Sequence, residues 1–349
     1  MLKTFFVFCS LIIIFIFDSF TYSQNILYPV IVNSKYGFID STGNIIIKPK
    51  YDQASGFLDG RSRVYMFAHQ PDGTSIVDEW GYLNTDGEFH KISSLSNGGF
   101  FYEGLAKIEK PAVGIFTNSG WGFIDTSYHL VIQPKFYNTG NFSEGLAWIE
   151  HKESFLFLVI TDKFGYINKN GKLIIPLQFD NAGDFVNGFA NVAIGEKHGF
   201  INKKGEIVVR PRFEAASHFS SGLAPVMLNG KWGFVNTKDS LIIIPAFEDA
   251  RSFSDSLALV KSSGKWGFIN LTGKIVIPFK YTAASKFEEG LAAVKIKGQW
   301  GYINKSGKIV IEPQYNGAGV FYNNRAMIEV DNKWGYIDPE GKVIWKPTR

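Results

Sequence analysis

Three kinds of apolar segment return in the same order along the chain. The first is Leu-Ala-x-Val, as in Leu291–Val294. The second is an aromatic residue, Gly, two apolar residues and Asn or Asp, as in Trp266-Gly267-Phe268-Ile269-Asn270. The third is a continuous apolar run ending at a Pro, as in Leu241–Pro245. Asn229-Gly230 and Ser263-Gly264 stand between the first segment and the second, and Asn-Gly between apolar runs is the strongest short-range hairpin signal. In seven of nine copies another Gly follows the first by six residues (43, 87, 171, 205, 273, 307 and 341), where it supplies a positive φ at little cost. Each copy therefore predicts a three-stranded antiparallel meander, followed by a connector rich in Ala and Phe.

The aromatic-Gly steps are Tyr36-Gly37, Trp80-Gly81, Trp121-Gly122, Phe164-Gly165, His198-Gly199, Trp232-Gly233, Trp266-Gly267, Trp300-Gly301 and Trp334-Gly335. Their glycines are spaced 44, 41 and 43 residues apart, then 34 residues apart five times. A fixed period in this range is the signature of a repeat architecture. The chain is in phase from residue 27 onward, because Leu27–Tyr36 aligns with Leu223–Trp232. Nine whole units follow with no fragment left over.

These features predict an all-β fold: a tandem repeat of nine three-stranded antiparallel meanders, each packed between its neighbours. One open sheet of so many strands is excluded on size. The outer run, being continuously apolar, is expected to be covered on both faces. The small Ala of the first segment (106, 147, 190, 224, 258, 292 and 326) suits a crowded inner strand. The units form either a propeller-like ring or an open spiral of stacked blades; the pattern fits both.

Composition agrees with strands: Phe, Tyr and Trp supply 16% of the residues, and there are 36 Gly. The net charge is +4 with no concentrated basic run, which argues against a nucleic-acid partner. At the N-terminus Lys3, the apolar stretch Phe5–Phe17 and Thr21-Tyr22-Ser23 read as a secretory signal peptide over 1–23. The domain then spans 24–349, secreted, periplasmic or on the cell-envelope surface, as a monomer with no transmembrane span after cleavage. The apolar stretch is shorter than the ~20 residues that a spanning helix needs. The one cysteine, Cys9, lies inside the signal, so the mature chain needs no disulfide.

The motifs Lys-Trp-Gly-Phe-x-Asn at Lys231–Asn236 and Lys265–Asn270, with Phe-x-x-Gly-Leu-Ala at Phe219–Ala224, resemble the WG-repeat family, also called KWG repeats. The resemblance covers the whole mature chain. Tyr36, Phe164 and His198 depart from it at the Trp position, and the second copy lacks the Pro. The family is mostly without assigned activity, so the resemblance bears on the fold more than on the function.

The six His (69, 90, 129, 151, 198 and 218) form neither His-x-His nor His-Glu-x-x-His, so no metal site is expected. No Gly-x-Ser-x-Gly, phosphate loop or dinucleotide fingerprint occurs, so no cofactor is expected and the chain reads as a non-enzyme. Glu103, Glu144, Asp255 and Glu289 recur at one repeat position; a catalytic pair needs two different environments, so these are turn residues. The Trp-Gly tryptophans are read as packed between blades rather than as a carbohydrate-stacking ladder.

The irregularity carries the functional expectation. From the Trp-Gly glycine to the connector Phe the distance is always 20, from 37–57 to 301–321. From that Phe to the next glycine it is 24, 21 and 23, then 14 five times, so the extra residues lie at Phe67–Glu79, Glu109–Gly120 and His151–Lys163. All three are the first hairpin of adjacent units, and insertions in repeats often build a binding face. The expected function is a non-catalytic binding or scaffold protein for a protein or cell-envelope partner, with Phe67, Ile115, Phe116, Phe155, Leu156 and Phe157 at its site. The alternative is a carbohydrate-binding module using surface aromatics.

Overall fold

A computed structural model describes residues 26–69, 74–92, 97–110, 120–155 and 158–348. The proposed signal, 1–23, lies outside the described residues. No helix among those described is long and apolar enough to cross a membrane.

Nine antiparallel sheets follow one another along the chain as the blades of a nine-bladed β-propeller. The predicted meander is present in every blade, and most blades hold a fourth strand. In the sixth, Ala215–Ala216, Leu223–Leu228, Lys231–Asn236 and Leu241–Phe247 lie side by side in chain order. The added strand comes from the connector and is two residues long, too short to show a hydrophobic period. It pairs Ala215 with Met227 and Ala216 with Val226 along the Leu-Ala strand.

The Trp-Gly glycine is explained by what faces it. Trp232 pairs with Phe247 and Phe234 with Ile243, so Ile244, Pro245 and Ala246 all oppose the single Gly233. This is a β-bulge in the outer strand, with the Pro at its centre. A Cβ on Gly233 would lie 2.6 Å from the Pro245 nitrogen, so no side chain fits there. The Pro also withholds a donor from the outermost edge, which discourages pairing with another chain.

Between blades, the residue after that glycine meets the connector Phe. Phe268 and Phe287 lie 4.7 Å apart, and Phe123–Phe142, Tyr166–Phe185 and Tyr302–Phe321 repeat the contact at 4.7, 4.9 and 4.9 Å. Each pair ties one blade to the next and is worth about 0.5–1.5 kcal/mol beyond its area burial. The constant sequence spacing is therefore the length of chain needed to bring these two rings together. The small Ala is fully buried beside them in the same inter-blade core, as Ala292 is next to Phe287.

Two expectations need correction. The outer runs are not covered on both faces: Ile46 is 50% and Ile275 50% exposed, and of each apolar run only the third residue, such as Ile47 and Ile277, enters the core. Successive residues point to opposite faces, and the first two of the run are both exposed, so the start of the outermost strand is open on either face. The tryptophans are mostly half-buried at the margins of the cores, and Trp334 is 37% exposed.

The last blade meets the first, which makes the structure a ring rather than a spiral. No connector Phe follows Tyr336; Tyr28 of the first blade takes that place, with ring centroids 5.6 Å apart. Tyr28 occupies the position that holds Ala in later units, and Val30, Ile39 and Tyr336 complete the closing core. The first blade lacks the short inner strand. In the sixth blade the backbone N–H groups of Glu214 and Ser217 donate to the carbonyls of Met227 and Pro225. The equivalent carbonyls of the first blade, Ile31 and Pro29, accept from the hydroxyls of Thr348 and Tyr336 instead.

Candidate functional site

The recurring carboxylates hold turns and blades together. Glu103 accepts from the Gly145 N–H at 2.9 Å, Glu144 from Gly188 at 3.0 Å, Asp255 from Gly290 at 2.6 Å, and Glu289 from Asn323 and Asn324 at 2.6 and 2.8 Å. Each carboxylate belongs to one unit and each donor to the next. All four sit at positive φ near 52°. Their repetition is that of an inter-blade clasp, as expected for structural turn residues.

A second clasp holds the hairpins on the opposite face. The Glu214 carboxylate accepts from Asn229 and Gly230, both at 2.9 Å, and Asp180 accepts from Gly195 at 2.7 Å. In the second blade Asp52 accepts from the Phe67 N–H at 2.9 Å, at the point where the long hairpin begins.

That hairpin pairs Arg61–His69 with Ser75–Asn84, with a bulge between Met66 and Phe67. Phe67 is half-buried opposite Val77, while Ile76 and Val77 are 53% and 51% exposed. In the fourth blade Leu146–Phe155 pairs with Leu158–Asn168, and Phe155 pairs with Leu158. In the third, Leu105–Lys110 pairs with Gly120–Asp125. Ile115, Phe116, Leu156 and Phe157 lie outside the described residues, as does the side chain of Phe155. The topology places all three hairpins at the same edge of consecutive blades. Two of them extend the strands of their own blade.

Sequence reasoning missed a second feature of the same blades. The x position of Leu-Ala-x-Val is Pro225, Leu259, Ala293 and Met327 in the later units, but Arg63, Lys107, Trp148 and Asn191 in units two to five. The Arg63 guanidinium donates to the Gly98 carbonyl of the next blade and lies 4.8 Å from the Phe100 ring. Lys107 Nζ donates to the Thr139 carbonyl at 3.0 Å and lies 5.2 Å from the Trp121 ring. Burial pulls the Lys107 ammonium below its ordinary range, and the Asp184 carboxylate offsets part of that. Burial pushes Asp184 up to about 6, against the opposing effects of Lys107 and the Trp148 indole. A column of x residues that changes from apolar to polar was the available signal.

No group of three or more His, Cys, Asp or Glu among the described residues is placed to hold a metal. His198 stands in the Trp position with Nδ1 2.8 Å from Asn191 Oδ1, and burial lowers its pKa, which favours the neutral ring.

Among solved structures the chain is similar to a eukaryotic initiation factor, at 12% identity and a TM-score of 0.62 over 92% of this chain and 95% of that one. It also matches apo AztD from Citrobacter koseri, at 10% identity and a TM-score of 0.40 over 91% and 92%. A third match is the acylaminoacyl peptidase of Pyrococcus horikoshii, at 12% identity and 0.39 over 83% of this chain and 51% of that one. At these identities the first likeness concerns the fold alone. No curated protein matches the chain. The model of the WG containing repeat matches residues 36–66, 121–153, 164–197, 199–232, 232–266, 266–300 and 300–334. With most of its length matched, and with a bulged Pro strand opposite the Trp-Gly glycine in every blade but the second, the chain belongs to the WG-repeat family.

Proposed function

We propose that this protein is a non-catalytic binding or scaffold propeller, acting outside the cytoplasm, whose protein partner docks on the hairpin face of blades two to four. The observation that carries this is the grouping of all the length variation at one edge of three consecutive blades, with Ile76 and Val77 exposed there. Exposed apolar residues grouped together often mark an interaction site. Export is supported by Lys3, Phe5–Phe17 and Ser23, and N-terminal sequencing of the native protein should begin near Gln24. A carbohydrate ladder along the Trp-Gly aromatics has less support, because most of those rings lean on the inter-blade cores.

The test replaces Phe67–Glu79, Glu109–Gly120 and His151–Lys163 with the short turn seen at Asn229-Gly230. The regular blades fold with that length, so thermal stability should persist while capture of the native partner from an envelope fraction is lost. A shortened protein that folds and captures the same partner undiminished would show that the hairpins are not the docking surface.

A further inference from the structure

The third blade differs from the others on its inner side. Its innermost strand, Asn97–Tyr102, is six residues long where most blades have two. Its register shifts between Gly98, which pairs with Ile108, and Phe101, which pairs with Ala106, so Gly99 and Phe100 bulge opposite Lys107. A Cβ at Gly98 would lie 2.7 Å from Trp80 and from the Tyr82 hydroxyl, and one at Gly99 would lie 2.7 Å from Lys107 Cγ. Only glycines let this strand press between those side chains. Beside the bulge is a cleft of about 390 Å³, and Arg63, Asn97, Phe100, Lys107, Trp121 and Asn141 are among its lining residues.

The chemistry of that lining is selective. Two cationic side chains reach the cleft from adjacent blades, and among the described residues no carboxylate lines it. Neither Arg63 nor Lys107 has an ion-pair partner among the described residues; each has one donor on a backbone carbonyl and others to spare. Asp184 acts on Lys107 but is not part of the lining. Phe100 and Trp121 supply ring faces, and Asn97 and Asn141 supply amides that both donate and accept. Later units, with Pro225, Leu259, Ala293 and Met327 in the equivalent column, cannot build such a site.

We infer that the cleft beside the Gly99–Phe100 bulge binds an acidic sugar, a hexuronate-type ring whose carboxylate meets Arg63 and Lys107 while its face lies on an aromatic ring. The amides of Asn97 and Asn141 meet the ring hydroxyls. Asn97 and Trp121 both pair with Glu109, at the base of the third blade's long hairpin, so the site is tested with that hairpin intact.

The test uses the chain from Gln24 onward, with D-glucuronate, D-glucose, acetate and inorganic phosphate as probes in calorimetry and saturation-transfer NMR. Glucuronate should bind saturably and at least tenfold more tightly than the other three. Lys107→Gln removes the charge, and should weaken glucuronate at least tenfold in a protein whose melting curve shows it still folded. Asn141→Ala, outside the strands, is the second variant and should also weaken it. Equal binding of glucose would overturn the role of the cations. Equal binding of acetate or phosphate would overturn recognition of the sugar ring. No glucuronate binding, or binding that both variants leave intact, would overturn the site itself.

Discussion

Phe287 and Trp266 pack against the same inter-blade core, and the structure ranks them against the motif that names the repeat. Phe287 is fully buried among Leu257, Tyr281, Ala292, Val294 and Ile303, with the Phe268 ring 4.7 Å away. Phe287→Ala removes that surface from the core and leaves a cavity the ring cannot collapse to fill, at a cost of about 3–5 kcal/mol. Trp266 leans on the margin of this core and is half-buried. Trp266→Ala removes apolar contact, but water can occupy the space, so the transfer cost stands almost alone at about 2 kcal/mol. Urea unfolding followed by far-UV circular dichroism should show both midpoints lowered at similar slope, with Phe287→Ala lower by at least the equivalent of about 1 kcal/mol. A Trp266→Ala protein as unstable as Phe287→Ala would refute the assignment of the inter-blade lock to the Phe pairs.

Two further substitutions test other parts of the account. Gly267→Ala should cost about 3 kcal/mol, because its Cβ would lie 2.7 Å from the Ile277 carbonyl oxygen and 2.8 Å from the Phe279 ring. Gly290→Ala meets no atom within 4 Å, but its φ of +82° should cost about 1–2 kcal/mol; equal losses in a melting experiment would dismiss the bulge as the cause at Gly267. For Asp184, the folded carboxyl holds its proton up to about pH 6 against an ordinary 3.8, so its contribution to stability falls as pH rises across that window. Asp184→Asn should remove that part of the slope and exceed the parent above pH 6, by on the order of 2 kcal/mol. Parallel stability–pH curves for the two proteins would show that Asp184 does not titrate in this way.

The repeat, the strands and the turns were legible because each unit states them again in residues with narrow conformational uses. Asn229-Gly230 marks a hairpin, and Pro245 marks an outer strand that can dispense with a donor. The constant distance from Gly267 to Phe287 was visible, but that it measures the reach between two rings in adjacent blades required the fold. The fourth strand was illegible because Ala215–Ala216 is too short to carry a period. The exposure of Ile45 and Ile46 was misread because a continuous apolar run does not distinguish a covered strand from the outermost one. Closure of the ring was written in Tyr28, which stands where later units have Ala, yet its partner Tyr336 is more than three hundred residues away. Of the candidate site, the hairpins were found from their length. The cleft was not, because Arg63 and Lys107 look like ordinary surface cations until the bulge at Gly99 and Phe100 places them together.

Ring closure is the central claim, and the distance between the first and ninth units tests it most directly. Ser34 and Asn332 line one small cleft at the junction, beside Trp334 and Thr348. The chain from Gln24 onward contains no cysteine, so Ser34→Cys and Asn332→Cys can each take a spin label without competition. Pulsed dipolar spectroscopy on the doubly labelled protein should give a single short, narrow distance, that across one cleft, and urea should abolish it. A long or broad distribution in the folded protein, as an open spiral would give, would contradict the closed nine-bladed ring.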